Sequence, residues 1–192
     1  MTIMKKHLSI VVDFQSTVKL SGTEQKKLQR WLEISSEVLA QMLLEKGFIH
    51  PSWLSGTDCL RVSLLLCGTI RIRQLNRDHR AKDKVTDVLS FPSFEGLRSR
   101  RPKNELPGAE LFLGDLAICH QKAQTQARQF KVSYMDEFIH LYVHGFLHLL
   151  GYDHELSGRE EEIMQKWEQK TLNLFSKIVT TQVPLGGESP YA

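Results

Sequence analysis

His144, His148 and His154 are the residues best placed to do chemistry. They stand in the string His144-Gly145-Phe146-Leu147-His148-Leu149-Leu150-Gly151-Tyr152-Asp153-His154. Residues four apart share one face of a helix, so His144 and His148 can aim their rings at one atom. Gly151 follows where a glycine can take the left-handed conformation that ends a helix. The chain can then fold back and bring His154 to the same point. Three neutral imidazoles and one open position describe a catalytic zinc site better than a structural one, which usually closes with four protein ligands. The expectation is one zinc per chain on His144, His148 and His154, lowering the pKa of its water towards about 7. His144 is thereby both a ligand and part of the catalytic centre. Imidazole ligands also suit nickel, copper and iron.

The spacing matches the metzincin protease pattern H-E-x-x-H-x-x-G-x-x-H at each ligand and at the glycine, with one departure. Gly145 stands where the protease has the glutamate that serves as general base. A metalloprotease is therefore an alternative lacking its usual proton shuttle. A second alternative is a non-catalytic assembly factor stapled by zinc. That site would need a fourth ligand, and His140, one turn before His144, is the candidate on spacing. Apolar residues surround the histidines nearly all round, from Phe138 to Leu150, so this zinc-site helix is expected to be buried. Gly145 inside it costs about 1 kcal/mol relative to alanine; close approach by another backbone, or by substrate, would explain it.

The second constellation is basic. Residues 71–84 hold Arg71, Arg73, Arg77, Arg80, Lys82 and Lys84 against Asp78 and Asp83, six cations and two anions, while the whole chain is only +3. A further cluster, Arg98, Arg100, Arg101 and Lys103, falls in an expected loop. Such patches suit a phosphate-rich partner. An arginine offers phosphate a planar, permanently charged fork. Arg80 is the candidate for stabilising charge on phosphorus, with Arg73, Arg77 and Lys82 guiding the backbone. Asp87, Asp115 and Asp153 are candidates for orienting the histidine rings; each suits an N-cap or turn equally.

These residues need a scaffold. Leu8 to Phe14, Leu60 to Cys67, Val85 to Phe91 (stopped by Pro92) and Leu111 to Ile118 read as four strands. Leu64-Leu65-Leu66 suggests a sheet covered on both faces. Helices are expected over Thr23 to Lys46, briefly from Gly68 to Leu75, over His120 to Phe130, through the histidine string, and from Ser157 to about Ile178. Ser133…Asp136 and Ser157…Glu160 read as capping boxes. The polar segment 75–84 reads as a turn and 93–110 as a loop. Residues 1–178 are expected as one domain and 179–192 as a flexible tail. The fold class is α/β (α+β): a small mixed four-stranded sheet packed with about five helices. No apolar run approaches the ~20 residues of a membrane span. The N-terminal residues read as strand rather than secretory leader. Cys59, Cys67 and Cys119 form no C-x-x-C pair and suit buried thiols in a reducing, cytoplasmic setting.

Taken together, these segments closely resemble the YbeY family of bacterial metal-dependent endoribonucleases. The resemblance rests on Leu75-Asn76…Arg80-x-Lys82-Asp83…Thr86-Asp87-Val88-Leu89-Ser90-Phe91-Pro92, on Leu113-Gly114-Asp115-Leu116-x-Ile118, and on the histidine string with Gly151-Tyr152-Asp153 inside it. It runs from about residue 8 to residue 175 in family order. It implies a mixed α/β fold, zinc on the three histidines and an arginine, here Arg80, needed for activity. It also implies cleavage of single-stranded regions of ribosomal RNA during small-subunit maturation and quality control, with small-subunit proteins or assembly factors as partners. Two departures bear on substrate preference: the long basic loop from Ser93 to Leu111, and His79 where the family usually has an aromatic residue.

Overall fold

The structure, a computed structural model, describes residues 8–49, 51–54, 56–94, 97–98 and 109–182. Four strands form one mixed sheet, β1 (Ser9–Ser16), β2 (Cys59–Cys67), β3 (Val88–Pro92) and β4 (Glu110–Cys119), in the order β1-β2-β4-β3. β1, β2 and β4 run parallel, and β3 pairs antiparallel with β4. Five helices accompany it: α1 (Gly22–Leu43), α2 (Thr69–Arg80), α3 (His120–Phe130), α4 (Tyr134–Leu149) and α5 (Gly158–Gln182). The architecture is the small mixed α/β domain expected.

The alternation along β2 decides which face is core. Leu60, Val62, Leu64 and Leu66 are buried, and they join α1 and α4 in one hydrophobic cluster. The other face is only partly covered. Ile72 of α2 packs there with Cys67, Leu89, Ala117 and Cys119, and Leu65 is half-buried. Further along, Arg61 forks onto Asp13 in the open. Cys67 and Cys119 lie in register on β2 and β4, fully buried. Burial pushes both thiols up, Cys67 to about 11, which leaves them inert.

Four boundaries differ from the sequence expectation by three residues or more; α1, expected to reach Lys46, ends at Leu43. α2 runs to Arg80, so Leu75–Arg80 are helical rather than a turn. β3 begins at Val88, because Asp87 turns its carboxylate onto the Val88 backbone amide. α5 continues to Gln182, so 179–182 are helical where a tail was expected, and 183–192 lie outside the described residues. Arg100, Arg101 and Lys103 also lie outside them.

β4 carries a bulge. Arg61 pairs with Phe112, but Val62 pairs with Gly114, leaving Leu113 as the extra residue. Gly114 has φ +141°, and a Cβ there would lie 2.2 Å from the Phe91 carbonyl oxygen. Only glycine allows the β3 backbone this close.

Candidate metal centre and its basic rim

α4 begins with the expected capping box, Ser133 and Asp136 bonding each other's backbone amides. Twelve of its residues are buried, among them Phe138, Tyr142, Phe146 and Leu149. His144 and His148 share its half-buried stripe. The helix ends in a Schellman motif: Gly151 N–H donates to His148 O, Tyr152 N–H donates to Leu147 O, and Gly151 has φ +89°. Tyr152 is then buried, its hydroxyl donating to Phe48 O at 2.7 Å. That anchor fixes the return of the chain and presents His154.

The three rings converge. Their centroids are 4.8, 5.3 and 5.2 Å apart, and one nitrogen from each lies within 4.8 Å of the other two. The tautomers follow from the partners. A carbonyl oxygen only accepts, so His148 Nδ1 donates to Tyr152 O at 2.8 Å. His144 Nδ1 is 2.9 Å from the Glu168 carboxylate of α5 and donates to it. When both rings are neutral, their Nε2 atoms carry the lone pairs, and these two atoms face each other across 3.1 Å. Burial, then the neighbouring His144 and His154, push His148 down to about 4, so its ring is neutral at pH 7. Neutral nitrogens with converging lone pairs fit a cation. A tetrahedral zinc with ligand distances of about 2.0–2.1 Å sets its nitrogens about 3.3 Å apart, close to the observed separation. His140 stays outside the group, its ring lying between Glu137 and Glu168.

The histidines open onto a cavity of about 650 Å³ that Arg80, Lys82 and Lys84 also line. Arg80 is the last residue of α2, and Ala81 closes that helix in the left-handed conformation. Arg80 Nη2 donates to Ser90 O at 2.8 Å, and the Ser90 hydroxyl donates to Gly145 O at 3.1 Å. The chain Arg80–Ser90–Gly145 ties the guanidinium to the helix that carries His144.

A family model described as Endoribonuclease YbeY matches residues 16–176. The chain belongs to that family. A YbeY endoribonuclease of Leptospira interrogans is 44% identical over 132 residues, covering 65% of this chain and 93% of that protein. That of Aquifex aeolicus is 34% identical over 153 residues, 80% of this chain and 85% of its own length. One from Bacillus cereus is 36% identical over 167 residues, 82% and 96%. A solution structure of a Thermotoga maritima protein shares the fold with TM-score 0.52 at 20% identity, covering 93% of this chain and all of that one.

The remaining predicted site residues divide. Lys82 lines the cavity with Arg80. Arg73 forks onto Asp83, and Arg77 pairs with Asp78; neither lines the cavity. None of the three candidate aspartates bonds a histidine ring. Asp87 accepts from Gln126, Thr86 and Val88 N–H. Asp153 accepts from Glu155 N–H, bracing the His154 turn. Asp115 lines a separate pocket with His79 and Phe91, away from the histidines. The ring partners are Glu168 and the Tyr152 carbonyl. Spacing could not show Glu168, because it reaches His144 only through the packing of α5 on α4.

Gly145 also has its reason. A Cβ there would lie 3.0 Å from Leu116 Cδ2, 3.1 Å from Val88 Cγ2 and 3.2 Å from Ser90 Oγ. The close neighbours are side chains of β3 and β4, rather than another backbone. The protease glutamate has no room at this position. Arg98, expected in a phosphate-binding loop, lies over the Tyr152 ring at 4.7 Å, pairs with Glu160 and donates its backbone N–H to Leu150 O. Glu160 is thereby taken from the second capping box: Ser157 Oγ accepts from Glu160 N–H, while the Glu160 carboxylate goes to Arg98.

Proposed function

We propose that this chain is a zinc-dependent endoribonuclease, cutting single-stranded regions of ribosomal RNA during small-subunit maturation and quality control in the cytoplasm. Family membership supports RNA as the substrate. The observation that carries the reading is that one cavity is lined both by three converging imidazoles and by Arg80, which forms no ion pair among the described residues. Unpaired RNA splays along such a groove more easily than a duplex.

His144, His148 and His154 would hold one metal ion per chain. When bound there, it supplies Lewis acidity, to acidify water or polarise a phosphoryl oxygen. The chain's own residues do the rest. Arg80 holds the scissile phosphate and stabilises charge on its oxygens. Lys82 and Lys84 neutralise flanking phosphates. Asp87, Asp153 and Glu155 also line the cavity, and Arg80, Lys82 and Lys84 offset their charge. Arg73 and Arg77 contribute long-range attraction from outside the cavity. The partners we assign beside RNA are small-subunit ribosomal proteins or assembly factors.

Two rival readings lose specific support. The metalloprotease lacks its glutamate and has no space for one at Gly145. The zinc-stapled assembly factor lacks the fourth ligand that His140 would have supplied. The test compares a labelled RNA hairpin with casein as substrates of the zinc-loaded protein. Cleavage confined to the RNA loop supports the proposal, and casein turnover without RNA cleavage overturns it.

A further inference from the structure

We propose that Glu168 is a positioning residue for His144, and that His140, set between Glu168 and Glu137, helps hold the same Glu168 carboxylate oxygen that His144 uses. This inference rests on the metal reading above and adds to it residues outside the histidine motif.

The geometry is a chain of contacts, Glu137–His140–Glu168–His144, on two helices. Glu168 Oε1 is 2.9 Å from His144 Nδ1 and 3.6 Å from His140 Nε2. The other ring nitrogen of His140, Nδ1, is 3.5 Å from Glu137 Oε2. Glu168 and Glu137 keep only 16% and 3% of their side chains exposed, so water competes weakly for these contacts. α5 cannot rotate to release Glu168. Its neighbour Trp167 packs edge-on to Phe48, and Thr171, one turn on, is buried.

The consequence is a chosen tautomer. A neutral imidazole carries one hydrogen, on either nitrogen. A carboxylate at Nδ1 draws the hydrogen there and frees the Nε2 lone pair for the site. Without it, the hydrogen can move to Nε2 and be donated to His148 Nε2, closing the site with a hydrogen bond. Carboxylate partners of ligating histidines typically change metal affinity by about 10–100-fold.

The experiment reads the tautomer and metal affinity separately. Ring ¹⁵N spectra of metal-free protein are taken at about pH 9, well above the ordinary histidine pKa of about 6.5, for wild type, Glu168→Ala, Glu168→Met and Glu168→Gln. Glu168→Met keeps the bulk of Glu168 without its acceptor, and so serves if the alanine variant is loosened. Wild type and Glu168→Gln are expected to keep the hydrogen on His144 Nδ1; the alanine and methionine variants are expected to move it to Nε2. Zinc competition against a chelator should then show about a 10–100-fold loss in the alanine and methionine variants, partial recovery in Glu168→Gln, and a smaller loss in His140→Ala. An Nδ1 hydrogen and unchanged zinc affinity in folded Glu168→Met would overturn the inference. If the tautomers shift as expected while wild type binds no zinc, the positioning role stands and the metal reading fails.

Discussion

His144 and His148 face each other through their Nε2 atoms at 3.1 Å, while each Nδ1 is held by an acceptor, Glu168 for one and the Tyr152 carbonyl for the other. Two lone pairs at that distance repel unless a cation lies between them. The fold holds them there with a capped helix, a Schellman turn and the buried Tyr152. A divalent ion should therefore stabilise the folded protein by mass action, about 2.7 kcal/mol at a hundred times Kd. Scanning calorimetry with and without zinc should show the rise in Tm, and His148→Ala should abolish it.

Arg80→Ala should keep the metal and the fold and lose about 10²–10³-fold in RNA cleavage, the usual cost of removing one preorganised donor from a developing charge. Its hydrogen bond to Ser90 O accounts for only about 1 kcal/mol of stability. Arg80→Lys should recover part of the rate, since an ammonium keeps the charge without the fork. Rates beside urea midpoints separate the two effects.

Gly114 and Gly145 should respond differently to alanine. At Gly114 the added Cβ meets backbone at 2.2 Å and φ is +141°, so Gly114→Ala should cost on the order of 3 kcal/mol. At Gly145 the contacts are side-chain atoms that can shift by tenths of an ångström, and alanine gains about 1 kcal/mol of helix propensity. Gly145→Ala should stay within about 1 kcal/mol of wild type, whereas Gly145→Glu overpacks the site by more. Urea denaturation of the three variants checks this order.

Arg98→Ala should loosen the return that carries His154, since Arg98 stacks on Tyr152 and pairs with Glu160. A stability loss of about 1–2 kcal/mol is expected, with weaker zinc binding. Unchanged zinc affinity in a calorimetric titration would limit Arg98 to packing.

Asp87 supplies a pH dependence. Burial opposes its charge, but hydrogen bonds from Gln126, Val88 N–H and Thr86 outweigh burial and hold its pKa below the usual carboxylate value. A depressed folded pKa means the contribution is complete above the unfolded value of about 3.9 and is lost as pH falls through the folded one. The gap in urea midpoint between wild type and Asp87→Asn should be constant near neutrality and shrink below about pH 4.

The histidine site was legible in the sequence because its geometry is local. Two of the histidines share a helix face, a glycine ends that helix, and the third histidine follows six residues after the second. Chemistry and family resemblance singled out Arg80, which lines the histidine cavity, although its helix was not legible. α2 buries only Ile72 and Asn76, too few positions to display a helical period among so many charges. Glu168 was hidden because it meets His144 across 24 residues through helix packing. Asp115 was misassigned because motif proximity does not reveal the strand face; it opposes Ser63, beyond the bulge at Leu113.

The most direct measurement is cleavage of an end-labelled RNA hairpin with a single-stranded loop by chelator-stripped protein, before and after adding one equivalent of zinc. Wild type, His148→Ala and Arg80→Ala are run in parallel. Loop cleavage is expected from zinc-restored wild type alone, with zinc bound by wild type and Arg80→Ala. Equal cleavage by all three proteins, or by stripped wild type, would contradict this expectation.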